Sequence, residues 1–156
     1  MKLLKEKEIK EFVKERYSKI ATKEGSSSCS CCGGNEMDTV IQQAKAAGYS
    51  DDEIKSIPAE AIFGLGCGNP TALAEINEGE TVLDLGSGGG IDVFLAANKA
   101  GVQGKVMGVD MTNEMVETAV KTAETGGYEN VEFKLGEIED LPITNNSIDV
   151  IISNCV

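Results

Sequence analysis

The segment Asp84-Leu-Gly86-Ser-Gly88-Gly-Gly90 limits the folds open to this chain more than any other stretch. It follows a short apolar run, Thr81–Leu85, and precedes a run of helical periodicity, Ile91–Ala100, that stops at Gly101. Glycines at such a junction permit positive φ and let the backbone come close to a ligand. The helix behind them starts with N–H groups that have no partner inside the helix. The alternation continues downstream. Lys105–Val109 reads as a strand, Asn113 as the cap of a helix running to about Glu124, and Val131–Leu135 and Ile148–Ser153 as further strands. Strands alternating with helices specify an α/β fold, a parallel sheet of about four strands with helices on both faces. Asp110 closes the second strand, where a carboxylate can accept from both hydroxyls of a ribose. A helix-capping aspartate is the plain alternative for that residue taken alone.

The chain ahead of the first strand is of another kind. Leu4, Ile9, Phe12, Val13 and Ile20 lie near helical spacing within residues 1–24, a segment of interleaved lysine and glutamate. Residues 25–36 form a glycine- and serine-rich loop carrying Cys29, Cys31 and Cys32. A helix is expected from Met37 to Ala47, closed by Gly48, and Ser50-Asp-Asp-Glu53 has the pattern of a capping box. We divide the chain accordingly: residues 1–77, an N-terminal helical and loop extension with the cysteine-rich loop and Cys67; residues 78–156, a ligand-binding half-domain.

Composition removes several classes of function. A net charge of −12 opposes a nucleic-acid partner, since phosphate binding depends on clustered Lys and Arg. No apolar run approaches the ~18 residues of a membrane span, and the N-terminus turns charged too soon for a secretory signal. We therefore expect a cytoplasmic protein without a membrane partner. Five cysteines, an odd count without disulfide-framework spacing, are expected to be reduced thiols. The chain has no histidine, which excludes Ser-His and Cys-His catalysis and any imidazole base.

Val82-Leu-Asp-Leu-Gly-Ser-Gly-Gly-Gly90 resembles the first motif of Rossmann-like class I methyltransferases, whose cofactor is S-adenosylmethionine. Its glycine spacing departs from the pattern of nicotinamide dehydrogenases. The resemblance implies that Asp84, Gly86, Ser87, Gly88 and Gly90 face the methionine portion of the cofactor, with Asp110 and the adjoining Met111 at the ribose. Gly136-Glu-Ile-Glu-Asp-Leu-Pro142 resembles the segment facing adenine, so Glu137 would accept from the adenine amino group and Ile138 would contact the ring. Asp149-Val-Ile-Ile-Ser-Asn154 resembles the fourth strand, whose end, with Asn154, faces both cofactor and acceptor.

Three further segments narrow the resemblance to arsenite methyltransferases: Gly64-Leu-Gly-Cys67-Gly-Asn-Pro70, the Cys31-Cys-Gly33 stretch, and Ser153-Asn-Cys155-Val156. The family implies that Cys67 and Cys155 act as thiolate ligands of trivalent arsenic, with arsenite or its thiol conjugate as substrate and a thiol as reductant. Soft thiolates suit such a centre, and the ligating form is deprotonated. Cys31 or Cys32 matches a region with an accessory redox or capture role, and which of Cys29, Cys31 and Cys32 acts stays open. Tyr17 matches a helix folding over the cofactor; a packing tyrosine is the plain alternative. Because arsenic(III) carries a lone pair, it can attack the methyl without surrendering a proton, so the missing histidine is no obstacle.

The family sheet has seven strands and its third arsenic-binding cysteine lies further along than Val156. We therefore expect a fragment, poor in methyl transfer by itself, with an apolar fourth strand prone to self-association or an unordered C-terminus. Two rivals stand beside this reading. A C-methyltransferase of quinones or sterols shares the cofactor motifs but gives Cys67 and Cys155 no role. A non-enzymatic thiol metal-binding module would bind no S-adenosylmethionine.

Overall fold

The computed structural model describes residues 6–22 and 36–154; Cys29, Cys31, Cys32 and Cys155 lie outside them. The N-terminal helix α1 spans Glu6–Ala21, followed by α2 (Glu36–Ala46) and the short α3 (Asp51–Lys55). The expected capping box starts α3: the Ser50 hydroxyl accepts from the Glu53 N–H at 3.2 Å, and Ser50 N–H donates back to the Glu53 carboxylate at 2.8 Å. A 3-10 turn at Ala59–Ala61 and the single-turn helix α4 (Pro70–Leu73) lead to β1 (Thr81–Leu85). The chain then runs through α5 (Ile91–Ala100), β2 (Lys105–Asp110), α6 (Asn113–Gly126), β3 (Val131–Leu135) and β4 (Val150–Ser153).

All pairings are parallel, and the sheet order is β3-β2-β1-β4. The first and fourth strands are thus neighbours. The bounds of the strands and crossover helices differ from the sequence reading only at their ends. Thr112, not Asn113, occupies the N-cap of α6, and no side chain caps it; the Asn113 amide instead donates to Glu117 at 2.6 Å. The fourth strand starts at Val150, because Asp149 turns its carboxylate onto the Thr81 N–H at 2.8 Å.

The sequence predicts helices on both faces of the sheet. The described chain places its two crossover helices on one face. Both connections step the same way across the sheet, and right-handed crossovers then fall on the same side. Val82, Val106 and Ile152 of the sheet bury against Val93, Ala96, Ala97 and Ala100 of α5. Outside that layer, Ala44, Tyr49, Ile54 and Ile62 pack on Phe94 and Leu95 of α5 and Ala123 of α6. The opposite face, with Leu83, Met107 and Val109, is covered by Leu141, Ile143 and Ile148 from the connection between β3 and β4. The β4 strand forms one edge of the sheet, and its Ile151 is 60% exposed. Among the described residues no helix is long and apolar enough to cross a membrane.

Phe94 is fully buried between Tyr128 and Phe133, at ring-centroid distances of 4.7 and 5.7 Å. Phe94→Ala is expected to cost about 3–5 kcal/mol through the cavity it leaves. Loss of the α3 cap in Ser50→Ala is expected to cost only about 1 kcal/mol. Denaturant titration of both variants would check the contrast.

Candidate functional site

The glycine-rich turn at the C-terminal end of β1 is tied down by the end of β2. Gly86 and Ser87 both donate their N–H groups to the Val109 carbonyl, at 2.8 and 3.0 Å. Gly88 N–H donates to Asp110 Oδ2 at 2.9 Å, and Gly90 N–H to the Ser87 carbonyl at 2.9 Å. These amides are used within the protein, so the turn is no ready anion cradle of the kind that binds phosphate. Gly90 has a φ of +94°, and a Cβ there would come within 2.8 Å of the Phe133 ring. Gly108, in the middle of β2, leaves the space into which Ser87 packs; a Cβ would lie 2.7 Å from Ser87 Oγ.

A cavity of about 560 Å³ opens over this turn, a size suited to a nucleoside-like ligand. Gly86, Ser87 and Gly88 form its floor, Asp110 and Met111 one wall, Glu137 and Ile138 another. Asn154, just past β4, and Tyr17 of α1 complete it. Nine residues proposed from sequence thus converge on one cavity although they are spread from α1 to the end of β4. Asp84 and Gly90 do not line it; Asp84 stands two residues ahead of Gly86 in the chain, and Gly90 between Gly89 and Ile91. Cys67 is exposed in the loop before α4 and borders the cavity through its neighbour Gly66.

The electrostatics of the site are acidic. Asp84 is 2% exposed, and burial first, then the charges of Asp92 and Asp110, push its carboxyl well above the usual range. Its Oδ1 and the Ser87 hydroxyl are buried without a hydrogen-bond partner in the protein. Buried polar atoms are almost always satisfied, so such orphans beside a cavity point to a bound polar group. The Asp110 carboxylate holds the turn through Gly88 and accepts from Thr112 N–H at 2.8 Å through its other oxygen. Each oxygen keeps a second lone pair for a ligand.

Sequence reasoning missed two parts of the site. Lys10 and Lys14, one helical turn apart on the face that carries Val13 and Tyr17, donate to opposite oxygens of Glu137 at 2.8 and 2.9 Å. Lys10 also pairs with Glu139 at 2.8 Å, so α1 is latched across the cavity. The lysine spacing was visible, but its acidic partners lie more than a hundred residues away. The second part is Asp92, which with Tyr49 and Asn154 forms a buried polar cluster at the start of α5. A first-turn aspartate reads from sequence only as a favourable helix-dipole charge.

The cysteines need a correction. The odd count predicts reduced thiols, but Cys67 is disulfide-bonded. Spacing along the chain speaks only for sequence neighbours, whereas the fold brings the Cys67 backbone to within 3.2 Å of Asn154. The roles suggested for Cys29, Cys31, Cys32 and Cys155 fall outside the described residues.

A strand, a glycine turn with an orphaned acid beneath it, and a second acid at the next strand end define an α/β domain built around a nucleoside-sized ligand. The chain belongs to the methyltransferase domain family, whose pattern matches residues 76–156. Over 96% of its length it is 46% identical to an arsenite methyltransferase of Halobacterium salinarum. Among solved structures it is similar to an arsenic(III) S-adenosylmethionine methyltransferase of Chlamydomonas reinhardtii, with a TM-score of 0.53 and 35% identity over 73% of this chain and 39% of that one. It is also similar to a methyltransferase of Aquifex aeolicus dependent on the same cofactor, with a TM-score of 0.52 and 25% identity over 73% of this chain and 55% of that one. The chain spans 40% of the length of the Halobacterium relative.

Neutralising both lysines, Lys10→Ala with Lys14→Ala, is expected to release α1, raising amide exchange across residues 6–21 about tenfold while β1 and α5 stay protected. The two lysines hold the Glu137 carboxyl down at about 2, below its ordinary 4.5. A depressed carboxylate contributes anchoring that is complete above its ordinary value and lost as pH falls through the folded one. Exchange in α1, corrected for its intrinsic pH dependence, should therefore rise between pH 4.5 and about 2.

Proposed function

We propose that this chain is the cofactor-binding part of a methyltransferase that uses S-adenosylmethionine to methylate trivalent arsenic held by cysteine thiolates. Residues 78–156 would be the cofactor half-domain, and residues 1–77 an extension that covers it and supplies Cys67. The observation that carries the cofactor assignment is the orphaned, buried Asp84 carboxyl beneath an acidic cavity floored by glycines. S-adenosylmethionine supplies a methyl made electrophilic by a sulfonium, and it carries a cationic amino group and no phosphate. A cation beside Asp84 would offset the repulsion that Asp92 and Asp110 exert on its carboxyl. A phosphate ligand would worsen it.

In this reading Asp84 and Ser87 serve the amino-acid end, with the turn Gly86–Gly90 beneath it. Asp110 accepts from the ribose hydroxyls through its remaining lone pairs, with Met111 alongside. Ile138 contacts the adenine ring, and Glu137, oriented by Lys10 and Lys14, accepts from the adenine amino group. Tyr17 covers the bound molecule from α1, and Asn154 stands where cofactor and acceptor meet.

The arsenic assignment is supported by the relatives' activity and by the place of Cys67 beside the end of β4. Ligation requires a thiolate, so the Cys67 disulfide must first be opened, which gives the thiol reductant its role. The arsenic lone pair would form the As–C bond as the sulfonium S–CH3 bond breaks and leaves a neutral thioether, so that the protein would contribute orientation rather than proton removal. The chain's lack of histidine agrees with this chemistry. Cytoplasmic residence fits a reductant-dependent reaction.

Isothermal titration with S-adenosylmethionine should saturate, and Asp84→Asn should weaken that binding at least about tenfold, or ~1.4 kcal/mol. Arsenite should bind only after reduction with a phosphine, and Cys67→Ser should abolish it. Absence of saturable cofactor binding would sink the methyltransferase reading. Unchanged arsenite binding in Cys67→Ser would leave the cofactor reading standing and remove the arsenic one.

A further inference from the structure

The polar cluster at the start of α5 lines the cofactor cavity, but its hydrogen bonds also reach beyond it, to the loop around Cys67. Tyr49 and Asp92 are each 3% exposed, and the Tyr49 O–H donates to Asp92 Oδ1 at 2.8 Å. The Asn154 amide donates from Nδ2 to Asp92 Oδ2 at 3.2 Å, to the Tyr49 oxygen at 3.1 Å and to the Gly68 carbonyl at 2.8 Å. Its Oδ1 accepts from the Cys67 N–H at 3.2 Å. Both sides of this amide are therefore committed, and its orientation is set by the partners rather than by packing alone.

A buried carboxylate is costly unless its hydrogen bonds are met, and among the described residues neither Asp92 oxygen pairs with a cationic side chain. An apolar residue at position 92 would fill the start of α5 without that cost. The cluster does something an apolar residue could not: it aims one amide at the loop around Cys67. The fit is close, since a Cβ at Gly66 would come within 2.9 Å of Asn154 Nδ2. Asn154 is also the residue directly before Cys155. One side chain thus joins the backbone of one thiol-bearing residue to the strand end that carries another.

We infer that Asn154, buttressed by Tyr49 and Asp92, is a positioning residue for Cys67, holding its loop against the end of β4. As far as arsenic is concerned, this rests on Cys67 being a ligand. A loop held in one place presents the Cys67 sulfur at less entropic cost, and this favours both closure of its disulfide and capture of arsenic.

The test compares the wild-type chain with Asn154→Ala, Tyr49→Phe and Cys67→Ser. In glutathione redox buffers the disulfide formed by Cys67 should shift about tenfold towards thiols in Asn154→Ala, equivalent to about 30 mV. Arsenite affinity of the phosphine-reduced protein should fall about tenfold in the same variant. Tyr49→Phe keeps the ring and removes only the hydroxyl, so it carries the test if Asn154→Ala fails to fold, with both shifts expected at about threefold. A folded Asn154→Ala with wild-type disulfide equilibrium and wild-type arsenite affinity would overturn the inference. So would a loss of thermal stability unaccompanied by either shift, which marks a merely structural role. If Cys67→Ser binds arsenite as the wild type does while Asn154→Ala still shifts the disulfide, the positioning role stands and the arsenic reading fails.

Discussion

The site depends on the tether between the glycine turn and the end of β2. A turn that leaves β1 and enters α5 within a few residues cannot satisfy its own amides, and unpaired buried N–H groups are expensive. Val109 and Asp110 accept from Gly86, Ser87 and Gly88, so the neighbouring parallel strand completes the turn. The same contacts give the cavity its floor and hold Asp110 at its wall. They also consume the donors that a dinucleotide or phosphate would need, which explains how similar glycine patterns serve different ligands.

Around that tether the protein concentrates negative charge. Burial first, then the charges of Asp92 and Asp110, raise the Asp84 carboxyl, and burial is the largest influence on Asp92 as well. Among the described residues one cationic side chain lines the cavity, Lys10 of α1, and it is directed to Glu137 and Glu139. The result is a cavity that favours a cation at its deep end and closes with an ion-paired helix at its outer one. The polar cluster of Tyr49, Asp92 and Asn154 then links the deep end to the Cys67 loop.

Much of this was legible before any coordinates. Thr81–Leu85, Ile91–Ala100 and Val131–Leu135 have the same bounds in sequence and structure, because Gly79, Gly86, Gly90, Gly101 and Gly136 punctuate them sharply. The cap of α6 was misplaced by a residue, since Thr and Asn in succession are equally good candidates until geometry chooses. The expected second helical layer is not found among the described residues; handed crossovers, which put α5 and α6 together, are a property of strand order rather than local pattern. In the site, residues belonging to a contiguous motif were readable, while Tyr49, Asp92, Lys10 and Lys14 were not, because each acts through a partner distant in sequence.

The sequence by itself determined the elements, the turn and the acids that flank it, because glycine spacing and apolar periodicity act over a few residues. It also showed that no imidazole can come from these 156 residues, which contain no histidine. Only the tertiary structure decided that the turn's amides are already used, that Asp84 is left with an orphaned oxygen, and that Cys67 is oxidised and held on Asn154. The reason is physical: burial and long-range hydrogen bonding depend on which strands become neighbours, and no local pattern carries that information.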